Sequence, residues 1–529
     1  MRTLEQRLAK VDTVLTRLGL PSSQNRGEGV TPHRGPNGLR SKLSDVLITD
    51  QRLPSADYSI PFLSGQGQKW IQLAGEEAAQ SSPLGGSSGY GQIDPSTFTT
   101  LPDKGVVQQC FQRYKFSRWV EMFPVFRDDS FSATIDKAYG RPACTASQAC
   151  VLAMCTVSPL FYWHNQEQPP AIQSADIAIV HLLMPHILLG RPSLELVQTL
   201  VLMTVRIFAL GSFEGIDMYL CLAARALFAL GAHLKPPSGS AEEEKHIYRD
   251  LFWIVHIIDV DHAIRSGRPT VMSNAWCDLT LPQGRWPSYE NGRVRYGMDL
   301  HLNLIKSEAY TRLYSLESLG KSDAELLKDI RLLDKALEDW RTSLPGDIRP
   351  ALTYREDCSV AGPLEEELVF LCLEYHRIVS SIHQAVTRVT RSAGHEDAIS
   401  SSLDIAIDAS RSTLLYFRDQ HKYLTRALFW LWSSYPITAL LMLFTEAMSN
   451  TGGNGCADDS QCSRDLAVAQ DAVDALREVG NAATDHSPRL QKLIRFLEEI
   501  LSIARVLGAE AYAAAAKREY EMPGQEPML

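Results

Sequence analysis

From Leu101 onward, apolar residues recur in steps of three and four, and no run alternates apolar and polar residues over the length of a strand. That pattern predicts many amphipathic helices and no sheet. Its sharpest instance lies between Glu242 and Pro282. The acidic run Glu242, Glu243 and Glu244 suits the positive end of a helix dipole. Ile247, Leu251, Ile254, Val255 and Ile258 then mark one face for burial. Gly267 tolerates the left-handed geometry that ends helices, and Pro269 lacks the N–H needed to continue one. The chain is therefore expected to stop its helix there and run extended to Leu281 and Pro282.

The flanking segments read the same way. Pro102 and Asp103 start a helix with Val106, Val107, Cys110, Phe111 and Tyr114 as its stripe, and Phe123-Pro124-Val125-Phe126 breaks it. Further helices are expected over 143–163, 174–189, from Pro192 or Ser193 onward, 215–234, 301–319, 321–344, 368–389, 406–416, 425–449 and 466–508. Ahead of them, Leu4, Leu8, Val11, Leu15 and Leu18 alternate steps of four and three, the seam of a coiled coil, closed by Gly19 and Pro21. The same stripe also suits a short amphipathic helix docked on its own domain. Residues 21–100 are rich in Gly, Ser, Pro and Gln and lack periodic apolar positions, so they read as a disordered linker. The expected organisation is a linker helix at 1–20, a linker at 21–100, a helical domain at 101–515 and a flexible tail at 516–529.

Composition narrows the function. The formal net charge is −10 over 529 residues, and no long Lys/Arg cluster appears. Nucleic-acid affinity comes largely from Lys and Arg displacing counterions, so this chain alone is expected to bind DNA weakly. The ten cysteines are scattered and lack the two-residue spacing that presents paired thiolates to zinc, which reads as buried free thiols. Ala427–Thr445 carries no charge and has the length of a membrane span, yet Ser433, Ser434, Pro436 and Thr438 dilute it. It reads as a buried core helix.

One constellation suggests chemistry. His256, Asp259 and His262 follow at three-residue steps and share a broad face, the spacing of a metal grip or a proton relay. A site of that kind needs ligands from other helices, and no second cluster is evident. The competing reading is a polar edge with a buried salt bridge from Asp259 to Arg265 or Arg268. His181 and His186, with Pro185 between them, point to different faces and make poor joint ligands. No phosphate-cradling Gly-rich loop, GxSxG elbow or kinase signature is present.

The order of these motifs resembles the middle homology region of the fungal binuclear zinc-cluster transcription factors. The matching residues are Trp253, Asp259, Gly267-Arg268-Pro269 and Asp278-Leu279-Thr280-Leu281-Pro282. Upstream, Trp119, Phe123-Pro124 and Phe131 resemble the family's opening motif, and Pro192-Ser193-Leu194 with Ala224, Arg225, Ala226, Leu230, Gly231 and His233 resemble its next helix pair. Trp340-Arg341 before Leu344-Pro345, and Tyr375-His376 before His383, follow in the family's order. The likeness covers about Leu101 to Phe444 together with the first helix.

It implies an all-α regulatory domain in a nuclear transcriptional regulator of a metabolic pathway, among which secondary-metabolite pathways belong. It implies no catalytic residue, no metal and no cofactor. The implied partners are a second copy or a relative joined through Leu4–Leu18, other transcription factors or co-regulators, and a small-molecule effector, with DNA reached weakly or indirectly and no membrane. The six-cysteine cluster that precedes the linker helix in the family has no counterpart here, which leaves either a shortened gene product or a regulator without its own DNA reader. The alternative function is an all-helical metal-dependent hydrolase using His256, Asp259 and His262.

Overall fold

A computed structural model describes residues 101–505, apart from 118, 127–129, 162–174, 210–215, 236–242, 282–298, 356–365, 390–394, 425–427, 451–458, 485–489, 492, 499 and 503. The predicted linker helix at 1–20, the linker at 21–100 and the tail at 516–529 lie outside these residues. The described residues form an all-α body without a strand. Its helices are α1 (Lys104–Phe116), α2 (Trp119–Met122), α3 (Ser130–Tyr139), α4 (Thr145–Val157), α5 (Ala175–Leu189), α6 (Leu194–Ala209), α7 (Ile216–Ala229) and α8 (Glu243–Ser266). There follow α9 (Leu300–Tyr314), α10 (Asp323–Ser343), α11 (Glu366–Gln384), α12 (Glu396–Gln420), α13 (Phe429–Trp432), α14 (Ser434–Asn450) and α15 (Asp459–Thr484).

Local chemistry sets the helix starts. The Asp103 carboxylate accepts from the Gly105 N–H at 2.8 Å, satisfying one of the orphan donors of the first turn. Ser322 and Glu325 cap each other reciprocally at the head of α10. The Asp299 carboxylate accepts from the Leu302 N–H at 2.9 Å and from Trp340 Nε1 at 3.2 Å, which ties the start of α9 to α10. After α1, Tyr114 staples the Phe-Pro turn. Its hydroxyl donates to the Phe123 carbonyl at 2.6 Å and accepts from the Val125 N–H at 2.9 Å. Gln198 of α6 donates to the Val125 carbonyl at 3.0 Å, so the turn is held from both sides.

Two apolar cores result. The larger gathers α1 to α7, the first part of α8, the Val369–Leu373 part of α11, and most of α12 to α15; the smaller gathers α9, α10, the later turns of α11, the last turns of α8, and Ile399 and Ala409 of α12. Helix α8 belongs to both, giving Leu251 and Val255 to the first and Val260, Ala263 and Ile264 to the second. The one-sided face expected from its periodicity is therefore too narrow. Residues 251–265 are buried all round, because the polar residues of the other faces find partners on neighbouring helices.

The long apolar stretch around 428–444 is split into α13 and α14 and packs inside the larger core. Among the described residues, no helix is long and apolar enough to cross a membrane.

Gly267 ends α8 at φ +68°, a left-handed conformation in which a Cβ crowds the following carbonyl. Gly267→Ala is expected to cost about 1–2 kcal/mol, read as a lower urea midpoint with an unchanged slope. A loss below about 0.5 kcal/mol would show that the turn relaxes at no cost.

Candidate functional site

The chemistry-bearing residues of the chain converge on α8. Beyond Gly267 the chain folds back across this helix. The Asp259 carboxylate accepts from the Val271 N–H at 3.0 Å and the Met272 N–H at 2.7 Å, and Tyr310 Oη donates to the Arg268 carbonyl at 2.8 Å. The extended tail is fastened further along. Arg249 donates to the carbonyls of Ala232, Asp278 and Thr280, while its guanidinium stacks over Phe252 at 4.5 Å and Trp253 at 5.0 Å. Trp253 itself is fully buried. Burial pushes the Asp259 carboxyl above its ordinary value, and the two backbone N–H donors oppose that shift.

Between the two cores lies a buried cluster of charges. Asp261 is its centre and is wholly inaccessible to solvent. It meets Arg265 Nε at 2.5 Å, Lys306 Nζ at 3.4 Å and Arg377 at 3.5 Å. Lys306 also meets Glu374 at 2.5 Å. Arg265 goes on to donate to the Leu431 carbonyl at 2.9 Å and to the Ser434 hydroxyl. The rings of Phe208 and Tyr435 lie 5.5 Å from its guanidinium carbon.

Three cations thus face two carboxylates where α6, α8, α9, α11, α13 and α14 meet. Burial raises the Asp261 carboxyl, but the charges of Arg265, Lys306 and Arg377 overcome it and hold the group below the usual carboxylate range. Burial likewise opposes ionisation of Glu374, and Lys306 and Arg377 keep its carboxyl low. Such a cluster locks relative helix positions, because moving any one helix would strand a charge out of water.

His256 sits beside it in a neutral network. Its Nε2 lies 3.1 Å from Asn274 Oδ1 and its Nδ1 lies 3.0 Å from Asn303 Nδ2, which fits the Nε2–H tautomer donating to one amide and accepting from the other. Asn274 donates to the Ser307 hydroxyl at 2.9 Å. Burial depresses the His256 imidazole to about 4. His262, whose Nε2 lies 2.7 Å from the Asp217 carboxylate, is also depressed by burial to about 4. His376 is pushed down to about 3 by burial alone.

His256, Asp259 and His262 therefore do not form one site. The first binds two asparagines, the second two backbone amides and the third Asp217. Among the described residues, no group of three His, Cys, Asp or Glu side chains could hold a metal ion. The expected salt bridge from Asp259 to Arg265 or Arg268 is also corrected. Arg265 pairs with Asp261, one helical turn earlier, and Arg268 pairs with Asp217 of α7. Asp259 lies six residues before Arg265, on a different face of α8, and faces the returning chain instead. Gly267, Arg268 and Pro269 form the turn, and Leu4, Leu8, Val11, Leu15 and Leu18 lie outside the described residues.

The sequence reading missed Asp261, Lys306, Glu374 and Arg377 as a group. The one available signal was a set of charges on otherwise apolar helix faces, and nothing in the spacing shows which of them meet.

Residues 113–342 match the fungal specific transcription factor domain. This chain carries that domain. A transcription factor of Aspergillus fumigatus that regulates an ABC transporter is 23% identical over 463 residues, covering 82% of this chain and 50% of that protein. Its counterpart in Aspergillus oryzae is 23% identical over 462 residues, covering 81% and 50%. The terrein cluster-specific transcription factor of Aspergillus terreus is 31% identical over 105 residues, covering 20% and 16%. The chain thus spans about half the length of the two ABC-transporter regulators it matches. No solved structure matches it.

The fungal transcription factor domain, as matched, runs from α1 into α10. Asp261, Arg265 and Lys306 lie inside that span, whereas Glu374, Arg377, Ser434 and Tyr435 lie beyond it. The charge cluster therefore rivets the domain to the helices that follow. The matched span ends within α10, and the packed body continues past it.

Proposed function

We propose that this chain is a nuclear transcriptional regulator of a fungal metabolic pathway, and that its helical body takes up regulatory input without catalysing a reaction. The observation that carries this reading is the transcription factor domain at residues 113–342, built around the locked helix α8. Its imidazoles and carboxylates are spent on holding helices together. The names of the relatives favour genes for transport or for a biosynthetic cluster as targets. The formal charge of −10 favours reaching DNA through a partner, and the Leu4–Leu18 seam is the segment suited to recruiting a second copy or a relative.

A fusion of the full chain to a heterologous DNA-binding domain tests the reading. Reporter output at the cognate site is expected to move several-fold, upward or downward, relative to the DNA-binding domain alone. An unchanged reporter, with the fusion folded and present in the nucleus, overturns it.

A further inference from the structure

Away from the charge cluster, α5, α6 and α7 enclose a cavity of about 310 Å³ that opens to solvent on one side. That volume lies at the lower end of the range for small-molecule sites, roughly 300–1,000 Å³. Ile187, Leu196, Leu200, Leu222 and Phe228 make most of its wall hydrocarbon. Apolar surface also continues outward, since Met218, one turn before Leu222 on α7, is 64% exposed.

Two polar side chains line the cavity. His186 is engaged, its Nε2 2.7 Å from the Thr145 hydroxyl. Arg225 is not: among the described residues its guanidinium has no hydrogen bond and no ion pair. Of the other cations nearby, Arg206 pairs with Asp176 at 2.6 Å and Lys137 with Glu195 at 2.9 Å, while Arg191, beside Pro192, is exposed and, like Arg225, has no hydrogen bond or ion pair among the described residues. An unmatched guanidinium at the rim of an apolar cavity presents a planar fork of donors that suits a carboxylate. Pro192 brings the start of α6 to the same wall, and the positive end of that helix dipole acts in the same sense.

We propose that this cavity binds an aliphatic carboxylic acid as its anion, with the hydrocarbon chain against Leu196, Leu200, Leu222 and Phe228 and the carboxylate on Arg225. Polar anions such as inorganic phosphate match the guanidinium but leave the apolar wall in water; neutral hydrocarbons match the wall but leave the cation unanswered. The inference rests on the proposed function only in making this acid the regulatory input. Binding itself is a property of the purified chain.

The test uses octanoate and 1-octanol as probes, with the full chain followed by thermal unfolding and by isothermal titration. Octanoate is expected to raise the melting temperature in proportion to its saturation of the site, and to bind about tenfold tighter than the alcohol. Arg225→Gln should bring octanoate down to the affinity of the alcohol while leaving the melting temperature without ligand unchanged. Ala229→Phe fills the cavity from an exposed position on α7 and should abolish binding of both probes. No binding of octanoate, equal affinity for acid and alcohol, or wild-type octanoate affinity in Arg225→Gln would each overturn the inference. A reporter that responds to the fused chain while octanoate does not bind overturns this site alone. An inert reporter with octanoate bound overturns the regulatory reading alone.

Discussion

Asp261→Asn is expected to lower the unfolding free energy by about 3–5 kcal/mol, the largest effect of any single polar substitution in the body. The asparagine keeps the shape of the side chain and removes its charge. Arg265, Lys306 and Arg377 would then share Glu374 as their one remaining carboxylate in the cluster, in a region closed to solvent. Buried cations without matching charge carry a desolvation penalty that the lost attraction no longer offsets.

The comparison that gives the number meaning is Asp339→Asn. Asp339 pairs with Lys335 at 2.6 Å, as closely as Asp261 pairs with Arg265, but both partners are more than half exposed. Solvent screens that pair, and its loss should fall below about 1 kcal/mol. Urea unfolding of the two variants reads the difference directly, as a large shift of midpoint for the first and almost none for the second. A loss under about 1 kcal/mol for Asp261→Asn would mean that water reaches the cluster, and the account of it as a dry rivet between helices would fail.

The second large effect is acid sensitivity that sets in above the carboxylate range. His256, His262 and His376 are held near 4, 4 and 3 by burial, below the ordinary histidine value of 6.5. For a group depressed in the folded state, the stability it confers is fully present above the unfolded value. It is lost as pH falls from there toward the folded value, because the unfolded chain takes up the proton first.

Each such histidine contributes a slope of up to about 1.4 kcal/mol per pH unit in that window. Three acting together should make the protein lose stability steeply between about pH 6 and pH 4. Asp259 and Asp299, whose carboxyls burial pushes up, work in the opposite sense. Their effect is stabilising at low pH and fades as pH rises through their folded values, so they blunt the acid end of the curve. Asp261, held low, keeps its charge through the whole window.

His256→Gln tests this assignment. Its absolute stability at pH 7.5 should fall, since the two asparagines lose part of their partner. Its slope of unfolding free energy against pH should drop by up to about 1.4 kcal/mol per unit between pH 6 and pH 4.5. An unchanged slope would show that the imidazole is not held neutral.

Much of the body was legible in the sequence because helices are specified locally. The stripe of Leu326, Ile330, Leu333 and Leu337 is the buried face of α10, and the capping pair Ser322 and Glu325 fixes where that helix begins. The Gly267 stop follows from the same local rules, because a left-handed φ acts within a few residues, whereas α1 ends at Phe116, earlier than the expected Phe-Pro break, and it is the short α2 that stops before Phe123-Pro124. Helix α12 was harder to bound. It spans Glu396–Gln420, well beyond the expected 406–416, since its first turns are mostly exposed and rich in Ser and Asp, with Ile399 and Leu403 alone extending the apolar stripe backwards.

The chain by itself therefore determined the all-α class, most helix positions and the order of motifs that belongs to a fungal transcription factor domain. Only the tertiary structure decided that α8 is a central helix buried on every side, that Asp259 faces two backbone amides and not an arginine, and that Asp261, Lys306, Glu374 and Arg377 share one dry cluster. The physical reason is range. Periodicity and capping act over one or two turns, whereas the pairing of charges 45, 68 or 116 residues apart is settled by how whole helices pack.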